Sequence, residues 1–401
     1  MLARPGGVRE WVVAVVGAVA VIAIGSIDAG GAALAVWRQW DVFLFLLGLM
    51  GIAAVVEQSG VIEHLAAFAA RGARGRRDLL LALVSAVAVL VTATLSNDAT
   101  VLILTPLVIA MCARLNVPVL PFALTCALLA NTASLLLPIA NPANLLVLHD
   151  LPLRLGAFVG LLLLPAVAGI VATVAGTAFV FRSELRGPVI GSEHPEDAPD
   201  AGPVAAALVV IVGAYLVVLA NGWPVGLVAV AGAVALLAIR AMRGRLEARR
   251  YASEIEWAIF PFLAGLLVLV AAAEHGGLAG FVRLVFAQAN AGGAAGLAAL
   301  GLATAIAANA MNNLPLAVVM GSGLREAADA THQTIGAVLI GVDLGPNFTT
   351  VGSLATMLWL LILRRKGVRI GSVEYLRRAW LPSLLGLAAA IAALVLAEAV
   401  T

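Results

Sequence analysis

Polar clusters recur in the same order, half a chain apart, inside stretches otherwise apolar enough to cross a bilayer. The first series is Glu57-Gln58-Ser59-Gly60, then Ser96-Asn97-Asp98, then Asn131-Thr132-Ala133-Ser134 leading to Asn141-Pro142-Ala143-Asn144. The second is Glu274-His275-Gly276-Gly277, then Asn312-Asn313-Leu314-Pro315, then Asp343 to Asn347 leading to Gly352 to Thr356. A polar group in hydrocarbon is costly unless it faces protein, water or a ligand. Repeated, polar, broken segments at membrane depth are how a secondary transporter builds its substrate site.

Composition supports a membrane chain. Charged residues are 11% of the sequence, against about 25% in soluble domains. Mean hydropathy is +1.08. The net charge of +2 says little about partners, but no basic stripe or nucleic-acid module is visible, so no nucleic-acid partner is expected. Cys112 and Cys126 lie in apolar surroundings without metal or disulfide spacing, so no metal and no cofactor are expected.

Arginine clusters at 71–77, 240–250 and 364–366, with Arg4 and Arg9, anchor a topology with a cytoplasmic N-terminus. Residues 1–181 read as a first repeat, with spans 11–27 and 42–70, a re-entrant hairpin 79–114, a broken span 119–148 and a span 153–181. Residues 182–203 are a polar, proline-rich cytoplasmic linker, and 204–220 a connecting helix. Residues 221–401 form a second repeat, with spans 224–241 and 257–289, hairpin 293–325, broken span 332–363 and span 381–400. The odd helix 204–220 inverts the second repeat. The expected fold is an all-α polytopic membrane protein of two inverted-topology repeats with re-entrant helical hairpins and broken helices.

Register supports the repeat. An offset of 217 carries Phe43, Gly48, Glu57 and Gly60 onto Phe260, Gly265, Glu274 and Gly277. An offset of 216 carries Asn97 to Asn313, and one of 212 carries Asn131, Asn141 and Asn144 to Asp343, Ser353 and Thr356. Substrate-binding candidates are Ser96, Asn97, Asn131, Thr132, Ser134, Asn141, Asn144, Asn312, Asn313, Gly345, Asn347, Thr349, Ser353 and Thr356. They supply neutral donors and acceptors at helix breaks, suited to a small polar solute or a cation held by oxygen. The same Asn and Ser side chains could act as helix caps alone. Asp98 and Asp343 are acids inside broken apolar segments, so they are candidates to carry a coupling proton, with Asp98 first and Glu57 and Glu274 next. An intramembrane protease is disfavoured: no His-Glu-x-x-His occurs, and Asp98 and Asp343 belong to separate repeats.

Several motifs resemble the ArsB arsenical efflux family of the ion-transporter superfamily. Leu95 to Pro106 resembles its "NDGAALILTP" stretch, Asn131 to Leu135 its "DTASL", and Met311 to Pro315 its "MNNMP". Asp343 to Trp359 resembles "DLGPKxTPxGSLATLLW", with Asn347 and Thr350 where that pattern has Lys and Pro. The Pro in Asn141-Pro142-Ala143-Asn144 is closer to sodium/proton and dicarboxylate relatives. The resemblance spans roughly residues 40 to 380. It implies a multi-pass inner-membrane exporter of arsenite or antimonite, driven by protons, working with or without a cytoplasmic ATPase subunit and compatible with a homodimer. A sodium/proton antiporter or sodium-coupled carboxylate carrier of the same superfamily is the alternative.

Overall fold

The computed structural model describes residues 10–149, 151, 153–189, 200–246, 248–327 and 330–398. Arg4, Arg9, Asp150 and linker residues 190–199 lie outside the described residues. Nineteen α-helices are described. The first repeat contains α1 (Glu10–Ala23), α2 (Ala29–Arg38), α3 (Trp40–Ser59), α4 (Val61–Gly72), α5 (Arg77–Thr94), α6 (Asn97–Leu115), α7 (Val119–Thr132), α8 (Pro142–Leu148) and α9 (Leu155–Val180). Then follow α10 (Ala201–Asn221), α11 (Val225–Met242) and a short α12 (Ala248–Glu254). The rest are α13 (Ile259–His275), α14 (Leu278–Ala291), α15 (Gly293–Met311), α16 (Asn313–Glu326), α17 (His332–Leu344), α18 (Leu354–Arg365) and α19 (Ser372–Glu398). Among the described residues, ten helices, some with their flanking turns, are long and apolar enough to cross a membrane.

Three local features depart from the expected spans. Segments 42–70 and 257–289 are each two helices, because Gly60 (φ 81°) and Gly277 (φ 93°) take left-handed conformations that end one helix and start the next. Residues 29–38 form α2 rather than a loop, started by Asp28, whose Oδ1 accepts from Gly31 N at 2.8 Å. The last helix begins at Ser372, nine residues before position 381.

The repeats pack on each other by exchange. Helix α11 of the second lies along α3 of the first, and α1 lies along α13. Both contacts use the equivalent glycine. A Cβ on Gly48 would stand 2.2 Å from the Ala229 carbonyl carbon, and one on Gly265 would stand 2.7 Å from that of Ala14. Phe43 and Phe260, equivalent in the repeats, meet each other with ring centroids 6.3 Å apart. Helices α9 and α19 form the other large self-equivalent contact. Such reciprocal packing is what a pseudo-two-fold axis produces.

Hydrogen bonds fix the ends. On one face Arg77 donates to the carbonyls of Glu184 and Pro188, both at 3.1 Å, and Arg378 pairs with Glu184 at 3.2 Å. Asp200, which closes the linker, pairs with Arg240, Arg243 and Arg245 at 2.6, 3.2 and 2.9 Å. Burial raises the Asp200 carboxyl, but the bonds from Arg245 and Arg243 outweigh it and hold the group below its ordinary range. Gln58 at the end of α3 donates to Glu254 at 3.1 Å on the same face. At the other end of α3, Asp41 caps α11 by accepting from Val225 N and Gly226 N. Helix α3 therefore runs toward the arginine-rich face. Helix α13 starts beyond the Arg240–Arg250 segment and runs away from that face, so the second repeat is inverted.

Candidate functional site

The two broken segments cross at the centre. Helix α7 ends at Thr132, passes through short 3-10 turns, and restarts as α8 from Asn141, whose side chain caps it by accepting from Ala143 N at 3.0 Å. Pro138 and Pro142 each remove a backbone donor, which favours the break. Helix α17 ends at Leu344, passes a 3-10 turn at Gly345–Phe348, and restarts as α18 under a Ser353 cap on Thr356 N at 3.1 Å. Pro346 lies in that turn.

Each repeat reaches the same positions of the other. Asn131 Nδ2 donates to Asn347 Oδ1 at 2.9 Å and approaches Ser353 Oγ at 3.4 Å and Thr356 Oγ1 at 3.5 Å. Asn141 Nδ2 donates to Asp343 Oδ1 at 2.7 Å, and Ser134 and Asn144 approach the same carboxylate. Under the offset of 212 the contacts of Asn131 with Ser353 and Thr356 correspond to those of Asp343 with Asn141 and Asn144. Asn347 Nδ2 donates to Thr132 Oγ1 at 3.0 Å and to Leu128 O at 3.2 Å. Every one of these side chains is buried. Asn131 Oδ1, Asn144 Oδ1 and Asp343 Oδ2 are buried oxygen atoms with no hydrogen-bond partner. Buried polar atoms are nearly always paired, so these three acceptors leave the crossing able to take hydrogen-bond donors.

The hairpin tips flank this crossing. Ser96 caps α6 on Ala99 N at 3.1 Å, and Asn97 Oδ1 accepts from Asp98 N at 2.9 Å. The tip packs on α7 and α18. A π-turn at Thr100–Leu104 follows it. The second tip docks on the unwound segment. Asn312 Nδ2 donates to Val351 O at 3.1 Å, and Asn313 N donates to Gly352 O at 2.9 Å. Thr349 Oγ1 donates to Asn309 Oδ1 at 2.8 Å, and Asn309 Nδ2 donates to Gly345 O at 2.7 Å. Gly345 is needed here: a Cβ would stand 2.5 Å from Ala305 Cα on the hairpin arm.

The candidates thus fall into distinct places. Asn131, Thr132, Ser134, Asn141, Asn144, Asp343, Asn347, Ser353 and Thr356 share the crossing. Asn312, Asn313, Gly345 and Thr349 form the junction beside it. Ser96, Asn97 and Asp98 form the first tip, where Asp98 lines a cleft with Glu57, Glu254 and Glu256. Glu274 lies apart, bonded to Ser322. Sequence reasoning missed Asn309, Tyr375 and Ser383. The last two lie on α19, and their hydroxyls donate to Asn347 O at 3.0 and 3.2 Å. Asn309, a lone amide in an alanine-rich arm, carried a signal; Tyr375 and Ser383 carried none.

Residues 1–345 match the family model described as citrate transporter. This chain belongs to the citrate transporter family. It is therefore a membrane transporter and not an enzyme. Among curated relatives, the arsenical pump membrane protein of Escherichia coli is 29% identical over 367 residues, covering 87% of this chain and 85% of that protein. That of Yersinia enterocolitica is also 29% identical, over 366 residues, with the same coverage. An uncharacterized transporter of Mycobacterium tuberculosis is 27% identical over 347 residues, covering 82% of this chain and 79% of that protein. The crystal structure of the Alcanivorax borkumensis YdaH transporter, described as having an unusual topology, superposes with a TM-score of 0.60. It covers 93% of this chain and 90% of that one at 16% identity, which shows a shared fold.

Both cysteines of this family member are buried among apolar side chains, and neither is among the side chains that meet at the crossing. Replacing Cys112 and Cys126 together by Ser is expected to preserve transport of its substrate. Transport assays on membranes with matched protein levels check this, and complete loss of transport in a folded, inserted double variant would assign the thiols a substrate role.

Proposed function

We propose that this transporter exports arsenite or antimonite across the inner membrane by proton antiport and alternating access, with its N-terminus in the cytoplasm. The observation that carries the reading is the chemistry of the crossing: amides and hydroxyls, three orphan oxygen acceptors and one carboxylate, with no Lys or Arg among its buried side chains. Arsenite near neutral pH is an uncharged trihydroxide, and three O–H donors suit orphan acceptors. The curated arsenical pump relatives support the same substrate class. Export also needs binding weak enough to release, which a thiol-free site provides.

A sodium-coupled carboxylate carrier is the second reading, favoured by the family's description and by the oxygen-rich helix breaks. A citrate anion in the crossing would face Asp343 with no cationic side chain to offset it, which places arsenite ahead.

Asp343 is the better-placed carboxylate for coupling, because Asn141 holds it inside the crossing, whereas Asp98 faces a cleft. Proton and substrate then compete for one site, as antiport requires. A cytoplasmic ATPase subunit and a second copy of the chain remain partner proposals from the family resemblance.

The test is uptake into everted vesicles of arsenite, sodium and citrate, each with and without a proton gradient. Gradient-dependent arsenite accumulation is expected. Movement of citrate or sodium with none of arsenite would overturn the reading.

A further inference from the structure

Two clefts on opposite faces are lined by equivalent positions. The cleft toward the arginine-rich face is lined by Met50, Ala53, Ala54 and Glu57 of α3 and Leu102 of α6. The cleft toward the opposite face is lined by Leu267, Val270, Ala271 and Glu274 of α13 and Val318 of α16. The offset of 217 carries the first four residues onto the second four, and 216 carries Leu102 to Val318.

The clefts differ in reach. The first extends to Ser96, Asp98 and Ala99 at the tip of its hairpin. The second stops short of Asn312 at the other tip, which lines a cleft with Trp11 and Glu256 instead. Glu256 lines both tip-reaching clefts, so both tips are approached from the arginine-rich face.

A specific contact lines the shorter cleft. Glu274 accepts a hydrogen bond from Ser322 and faces the Arg325 guanidinium at 3.9 Å. These join the last turn of α13, beside the Gly276-Gly277 break, to the hairpin arm α16. The first repeat has no arginine at the equivalent position. Glu57 is exposed, and Ile109 stands where the offset of 216 places Arg325.

We propose that Glu274, Ser322 and Arg325 form a latch that holds the pathway shut on the face opposite the arginine-rich loops, and that its release opens that face during transport. The proposal rests on the alternating-access reading above and deepens it by naming the closing contact. Charge-assisted bonds are strong enough to bias two arrangements. At 29% side-chain exposure for both Glu274 and Arg325, solvent weakens the ion pair enough for it to open in each cycle. A latch of this kind shifts a population; it does not create a new state.

The test reads both clefts at once. Val318→Cys and Ala53→Cys are placed separately in the full chain, and modification by N-ethylmaleimide is timed in membranes without substrate. Glu274→Gln, Arg325→Gln and the milder Ser322→Ala are then added to each. Releasing the latch is expected to raise the rate at position 318 by about threefold or more and to lower it at position 53, as a shift between two states requires. Unchanged rates in all three variants would overturn the latch. A rise at both positions would also overturn it, because that is local loosening. Ser322→Ala keeps the test open if a charge variant fails to fold. No arsenite is used, so a failure of the substrate reading leaves this result standing, and a failure here leaves arsenite transport intact.

Discussion

Asp343→Asn is expected to abolish substrate export against a gradient while leaving exchange measurable. The side chain is buried and takes the Asn141 amide at 2.7 Å. Asparagine matches its shape and can still accept that bond through its own oxygen. It cannot exchange a proton. Substrate binding should therefore survive, and the gradient-driven accumulation ratio should fall to about one, since coupling needs a group whose protonation changes affinity. Asp98→Asn, on the cleft side of the first tip, should act more weakly. Accumulation ratios in vesicles, measured for both variants across pH, check the ranking. Normal accumulation by Asp343→Asn and by the double variant would move coupling to Glu57 or Glu274.

The second large effect is structural. Gly48→Val should prevent assembly of the repeats. Any Cβ there would stand 2.2 Å from the Ala229 carbonyl carbon and 2.4 Å from Val230 N, both backbone atoms that no rotamer change can move. Helices α3 and α11 would have to separate along their length, at about 3 kcal/mol or more, the upper end for overpacking. Gly265→Val should do the same to α13 against α1. Gly213→Val, where nothing lies within 4 Å, is the control and should be tolerated. Detergent-solubilised yield and apparent melting temperature decide it. Equal behaviour of Gly48→Val and Gly213→Val would contradict the exchange packing.

Much of this arrangement was legible in the sequence because breaks in membrane helices need particular residues. Asn141-Pro142 and Ser353 mark helix restarts by capping chemistry. The offset of 212 anticipated that Asn131 and Asp343 are equivalent, and in the structure each reaches across to the other repeat's restart. Paired Glu and Gly at an offset of 217 likewise marked the positions where α3 and α13 end. Other features left no sequence trace. Tyr375 and Ser383 hold the Asn347 carbonyl from a distant helix, and nothing in the sequence around them distinguishes them from lipid-facing or packing residues. Asp28 lies between the expected spans 11–27 and 42–70, yet it caps α2. The difference in exposure between Glu57 and Glu274 was also hidden, because equivalent sequence positions need not have equivalent surroundings. Only Ile109, set against Arg325, hinted at it.

The most direct test of proton-coupled arsenite export through the crossing is proton movement itself. Purified transporter in proteoliposomes carrying a trapped pH indicator is given an arsenite gradient and no other driving force. The account predicts a counterflow of protons that scales with arsenite flux in the native chain and disappears in Asp343→Asn, while arsenite exchange persists in both. Arsenite flux with no proton movement in the native chain, or equal proton movement in Asp343→Asn, would contradict it.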